Sequence, residues 1–488
     1  MKSAALFACL FLAGSPLAAR AQSAGPIIER HLKAIGGEKA VEKIVSTEIV
    51  GTVTASDGRS GTFTQRARRP NRFSISVSSG DTRWRAGFNG RAAWQDDRDG
   101  LRTLFGQPAS RVRAEATFAA TRLLTPDKIL EFIAAGRDQV RGRPVFVVLA
   151  ITADGVVRRL FFDASSYLLA KDEQETDAGV EERLYDDYRA VGQLLEPHRI
   201  EWRRGGDTFH ITVERVVHNA PIDAQAFDVP APTAQPPVNL DAVLAAAERH
   251  ERGVDDLLAS YTYTVSGATG RMDDTGRVTT QEGAAWEVLH VNGRRVLKQI
   301  RTQRGEPLNE AEQRREDGRV ATIITALEKG GTAPAGPPQG GIVLFRSPSL
   351  STFRRVSGFS NVRRESVGGR PTIVVEFAPQ PVVRTETEVE EQAAVTAGTI
   401  WIDEALHYIT RQESFLLDDY ERVAGGSALR FERALMNDEV WLPVHRQESM
   451  RLKFAFGNRS QMFFNTDYTE HKKFAVQTDA TIELPPQQ

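Results

Sequence analysis

The feature that most constrains this chain is that it repeats itself once. Ile27, Ile28, Leu32 and Ile35 have helical spacing that stops at Gly36-Gly37; a second short helix carries Val41, Ile44 and Val45; Glu48–Thr54 then turns to strand chemistry. The order returns downstream. Asn239 is placed to cap a helix bearing Leu240, Val243, Leu244 and Ala247; Gly253 is read as its end; Val254, Leu257 and Leu258 suggest a second short helix; Tyr261–Val265 is a strand. Three more landmarks recur in sequence. Gly142-Arg143-Pro144 precedes Val145–Val148 as Gly369-Arg370-Pro371 precedes Thr372–Val375. Leu160-Phe161-Phe162-Asp163 matches Ile400-Trp401-Ile402-Asp403. Pro197-His198-Arg199 opens a strand, as does Pro443 with His445-Arg446. This is one fold duplicated in tandem, not a short-period solenoid. The second copy is longer between Arg370 and Asp403, and its Glu-rich stretch 386–392 is expected to enlarge a hairpin.

The two copies are expected at 22–229 and 239–488, joined by a semi-rigid Pro-rich linker at 230–238. Residues 1–21 read as a signal peptide: Lys2, an apolar run from Ala4 to Ala13, then Ala19-Arg20-Ala21 with a cut after Ala21. A periplasmic or secreted protein is implied. Cleavage removes Lys2 and Arg20, moving the net charge from −2 to −4, and removes Cys9, the only cysteine of the 488 residues. The mature chain then has no disulfide or thiolate, and no run long enough to span a membrane as a helix. Without a basic excess, nucleic acid is a poor partner.

Between the helices the chain is mostly strand. Phe73, Ile75 and Val77 alternate with serines, and Asp57-Gly58, Asp99-Gly100 and Asp154-Gly155 mark hairpin turns. Thr125 and Pro126 are placed to open a helix with Ile129, Leu130 and Ile133; Asn309 with Glu312 opens another with Val320, Ile323, Ile324 and Leu327, followed by the Pro/Gly stretch 330–341. Antiparallel hairpins with two or three helices per repeat mean an α+β fold.

Catalytic and metal motifs are missing. There is no H-E-x-x-H, nucleophile elbow, P-loop or dinucleotide fingerprint, so no metal, cofactor or enzyme activity is expected. His198 and His445 recur, which fits a structural hydrogen bond better than a site. Asp163 and Asp403 are the one repeated carboxylate pair; they suit turns better than hydrolysis. What remains is apolar surface. Phe63, Phe73, Ile75, Val77, Trp84, Phe88, Trp94, Phe162 and Trp202 in the first copy, with Trp286, Trp401 and Trp441 in the second, are the candidates to line a ligand cavity on a concave sheet face.

Ala34–Ala40 (AIGGEKA), the strand Ile49–Val53, Arg69-Pro70-Asn71-Arg72-Phe73 and Asn89-Gly90-Arg91-Ala92-Ala93-Trp94 resemble the opening of outer-membrane lipoprotein-sorting proteins, the LolA-like superfamily of exported lipid carriers. The resemblance is clearest over 27–230. It implies two tandem half-open curved antiparallel β-barrels, each with a few helices as a lid over an apolar cavity. It also implies a non-enzymatic carrier of lipid or acylated protein. An envelope-stress sensor of similar fold, docking a membrane regulator or envelope complex, is the alternative; a carboxylate-dependent hydrolase is a remote one.

Overall fold

The computed structural model describes residues 24–473 apart from 81, 122–129, 231–234, 259, 293, 330–347 and 455–458. The signal peptide with Cys9, part of the Pro-rich linker, the Pro/Gly stretch and the Thr125-Pro126 pair lie outside the described residues.

One antiparallel sheet contains β1 (Ser46–Ala55), β2 (Ser60–Arg68), β3 (Arg72–Ser79), β4 (Thr82–Phe88), β5 (Ala93–Asp97), β6 (Gly100–Thr103), β7 (Leu130–Val140), β8 (Arg143–Thr152), β9 (Val157–Asp163), β10 (Leu169–Thr176), β11 (Gly179–Val191), β12 (Leu194–Arg204) and β13 (Asp207–His218). The other contains β14 (Tyr261–Met272), β15 (Val278–Val291), β16 (Arg294–Arg301), β17 (Ser357–Val367), β18 (Arg370–Pro379), β19 (Thr396–Asp403), β20 (Ile409–Leu416), β21 (Ala428–Met436), β22 (Val440–Lys453) and β23 (Arg459–Lys473). Chain neighbours pair throughout, and each sheet is joined across its middle by one long-range pairing, β1 with β13 and β14 with β23. Ten strands correspond one to one, β1–β3 with β14–β16 and β7–β13 with β17–β23; β4–β6 are extra in the first copy. Neither sheet closes, since β6 and β7 are opposite edges, as are β16 and β17. The fold is a tandem pair of open antiparallel half-barrels.

The strand patterns explain the sheets. Phe63 faces Val77, and Val77 faces Trp84, so three strands share one apolar stripe. The three Asp-Gly signals all fall in hairpin turns, with Gly58, Gly100 and Gly155 at φ of 82°, 91° and 87°. Glycine adopts that left-handed backbone without steric cost. Pro197 and Pro443 lie inside strands rather than opening them. Pro443 sits at a register shift in the ladder, where a residue without an N–H is tolerated, and Pro197 pairs with Tyr188 in an unbroken register.

Among the described residues seven α-helices pack on the sheets: α1 (Gly25–Ala34), α2 (Glu38–Glu42), α3 (Gln107–Thr121), α4 (Leu240–Leu258), α5 (Glu310–Glu328), α6 (Leu350–Val356) and α7 (Glu388–Ala393). Three expectations are corrected. Leu130 and Ile133 belong to β7, not a helix; the lid helix is α3, whose inward residues are mostly alanine and so leave a weak pattern. Gly253 does not end α4, because one glycine costs only about 1 kcal/mol in a helix packed along its face. The stretch 386–392 forms α7, capped by Thr387 at 3.3 Å from the Glu390 N–H, with acidic residues in its first turn. Asn309 and Glu312 do form the capping box of α5.

Buried polar groups lock the two sheets together. Glu376, fully buried on β18, accepts hydrogen bonds from Asn89 (2.9 Å), Arg91 (3.0 Å), Asn361 (2.8 Å) and Arg363 (3.0 Å). Arg113 of α3 pairs with Asp154 at 2.6 Å and with Glu413 of β20 at 3.2 Å. Phe415 and Ala428 of the second copy complete the core of the first.

Candidate functional site

The concave face of each sheet is the place to look, and the two faces differ. Because β6 and β7 are opposite edges, the chain between them has to cross the first sheet. Helix α3 does so, lying against β2–β5. Ala109 and Ala116 meet the Phe63–Phe88 core on one side, and Ala114 and Phe118 meet the core beneath α1 on the other. What is left is a cavity of about 210 Å³.

Charged groups project into that small cavity from an otherwise largely apolar lining. Glu115 of α3 reaches into it and pairs with Arg158 of β9 and, at 2.8 Å, with Arg183 of β11. Tyr185 donates to Asp172 at 2.6 Å. Burial alone would raise the Glu115 carboxyl, but the two arginines outweigh it and hold it down at about 2. Burial, with the Asp172 charge second, pushes the Tyr185 hydroxyl well up. Two carboxylates thus answer two guanidiniums across the cavity.

The second concave face contains a groove of about 520 Å³, bounded by β14–β16, β22 and β23. Tyr263, Val265, Trp286, Val288, Leu297, Phe464 and Tyr468 line it, and Gly267 and Gly283 leave part of its wall without side chains. Helix α4 touches β14 and β22 at one end of this face, where Leu258 packs with Tyr263 and Val288. Helix α5 packs instead on Leu289, Val291 and Val296, which alternate with the groove residues Val288 and Leu297 and so point to the other side of the sheet. It also tends the open edge: Arg319 donates to the Leu297 carbonyl and Glu316 accepts from the Gln299 N–H at 2.6 Å. A larger cleft of about 920 Å³ runs between β8–β11 and the β14–β15 hairpin, but it has no aromatic lining and is rimmed by Arg111, Arg159, Glu173, Glu175, Asp274 and Arg277.

The twelve aromatic and aliphatic candidates divide accordingly. Trp286 lines the second groove; Phe63, Ile75 and Trp202 border the small first cavity while buried themselves. Phe73, Val77 and Phe88 are core. Trp84 stands edge-on to Trp202 at 5.4 Å, with the Arg204 guanidinium 4.1 Å from its ring. Trp94 lies over Gly87 and donates to the Phe227 carbonyl at 2.9 Å. Phe162 packs against His31 under α1, Trp401 against Phe105 at 5.6 Å, and Trp441 in the cluster with Tyr261 and Tyr408. The groove residues Tyr263, Val265, Val288, Leu297, Phe464 and Tyr468 were not among the candidates. The alternation of Tyr261, Tyr263 and Val265 was the available signal, but it identifies a strand face and not an unfilled one.

The repeated polar residues are structural. Asp163 Oδ1 accepts from the N–H groups of Ser165 and Ser166, and Asp403 Oδ1 from those of Ala405 and Leu406, while Arg370 holds Asp403 Oδ2 at 2.7 Å. Burial opposes these bonds but loses to them, so Asp163 sits at about 2 and Asp403 is also lowered. His198 bonds the Glu196 carbonyl at 3.0 Å and His445 bonds Asp467 at 2.6 Å.

No family model matches the chain, and no curated protein does. Among solved structures, a LolA superfamily protein from Nitrosomonas europaea is 12% identical and aligns over 42% of this chain and 97% of its own, with a TM-score of 0.29. A domain described as an outer membrane lipoprotein-sorting protein from Vibrio parahaemolyticus is 12% identical over 42% and 95%, at 0.28. The MucA/MucB complex of Pseudomonas aeruginosa gives 10% identity over 92% and 99%, at 0.18. Scores this low add no weight, and the half-barrel description rests on the strand order.

Proposed function

We propose that this chain is an exported, non-enzymatic binder or carrier of lipids or acylated proteins of the cell envelope, and that the acyl chain lies in the second half-barrel. The observation that carries the reading is the groove lined by Trp286, Val288, Leu297 and Tyr263: at about 520 Å³ it has the volume and apolar wall of a small-molecule site. Each buried methylene contributes roughly 0.8 kcal/mol, so about ten supply ~8 kcal/mol before binding costs, enough for micromolar affinity without any reactive group. Asp163 and Asp403, committed to turns, give no support to hydrolysis. Export rests on the sequence of residues 1–21; no described helix is long and apolar enough to cross a membrane.

Native mass spectrometry after gentle extraction, with uptake of a fluorescent fatty acid, tests the reading. Gly267→Leu is the blocking variant, because a Cβ placed there has its nearest neighbour, the Asn465 carbonyl oxygen, 4.0 Å away. We expect co-purifying lipid and uptake that Gly267→Leu abolishes. No lipid and no uptake by the wild type would overturn it. The packed first face favours a second role for that copy, an interaction module that docks an envelope partner; crosslinking in intact cells would reveal the partner.

A further inference from the structure

The groove is not apolar throughout: Glu282, Arg295, Arg446 and Glu448 stand in its lining. Going along the β15–β16 pair, Trp286 faces Gln299, Val288 faces Leu297, and His290 faces Arg295. Arg295 and Leu297 are two residues apart on one strand and share the groove face, so the cation stands about 7 Å beyond the aliphatic wall. The other charges of the lining are committed. Arg446 bonds Glu448 at 3.0 Å, and Glu282 pairs with Arg301 at 2.8 Å. The Arg295 guanidinium is exposed and has no ion pair or hydrogen bond among the described residues. An apolar stretch of wall formed by Trp286, Val288 and Leu297, with one unpaired cation beyond it, complements a long chain ending in an anionic group.

We propose that the second groove selects single-chain amphiphiles with an anionic head group, carboxylate or phosphate, seated at Arg295 with the chain running along Leu297, Val288 and Trp286. This rests on the acyl-chain reading above and adds the head group to it. The full chain is titrated with a long-chain fatty acid, the alkyl phosphate and the fatty alcohol of equal length, each displacing a fluorescent probe. The wild type should hold both anions about fivefold tighter than the alcohol. Arg295→Gln, an exposed substitution that leaves the core untouched, should erase that preference while keeping the alcohol affinity. Equal affinity of the wild type for anions and alcohol, or an Arg295→Gln variant that keeps the preference, would overturn the head-group assignment while leaving chain binding standing. A wild type that binds none of the three would overturn the acyl-chain reading itself.

Discussion

The two concave faces are built on the same ladder of strands and put to opposite use. In the first copy the chain crossing from β6 to β7 carries α3, which brings Glu115 to two buried arginines whose other acidic partners, Asp172 and Glu181, stand farther off at 4.0 and 3.4 Å. In the second copy the helix after β16 turns to the other side of the sheet, and aromatic and aliphatic groups are left facing open volume. The lesson is that an open half-barrel does not by itself define a cavity. Where the helix that follows the outer strand packs, and whether its side chains answer the charges on the sheet, distinguish the packed face from the open one.

The comparison breaks most easily at Glu115. Replacing it with alanine leaves Arg158 and Arg183 buried beside each other, and a cost of about 3–5 kcal/mol in denaturant unfolding is expected. A cost below about 1 kcal/mol would mean that α3 does not depend on the pair. A matched pair of truncations sharpens the point. Ile75→Ala, in the first core at 4% exposure, should cost about 2–5 kcal/mol. Leu297→Ala, half-buried on the groove wall, should cost about 1 kcal/mol while weakening chain binding. If Leu297→Ala proves as destabilising as Ile75→Ala, the groove is core and not a site.

Much of this architecture was legible in the sequence. The Asp-Gly turns, the recurring Gly-Arg-Pro hairpins and the Asn309 capping box have local causes, so their residues identify them. Helix α3 was missed because alanines facing a sheet give almost no periodic contrast, while Leu130 and Ile133 gave a false one. The cavity candidates went astray for a different reason. Trp94, Trp401 and Trp441 look alike in sequence, but each is buried by a partner far away in the chain, Phe227, Phe105 and Tyr261, that no spacing rule supplies. Only tertiary packing separates a Trp that fills a core from Trp286, which borders empty space.

The smallest expected effects are also the most diagnostic, because two buried glutamates on corresponding faces are shifted in opposite directions. Glu115 is held at about 2, below its ordinary 4.5, by Arg158 and Arg183 against the burial that would raise it. Its contribution is therefore complete above about pH 4.5 and is lost as pH falls toward 2. Glu448 is raised, because burial outweighs the single Arg446 beside it. Its charged form works against folding, with no penalty below the ordinary carboxylate range and a full one once pH has risen through the shifted value. Unfolding free energies of the wild type, Glu115→Gln and Glu448→Gln, measured from pH 7 down to pH 3, should thus diverge with opposite sign. Glu115→Gln should be the less stable protein at pH 7 and approach the wild type on acidification. Glu448→Gln should sit within about 1 kcal/mol of the wild type at pH 7, on the stabilised side, and lose that margin in acid. Parallel curves for the two variants would show that both carboxylates are held in the same way, and the contrast between a locked face and an open one would lose its electrostatic basis.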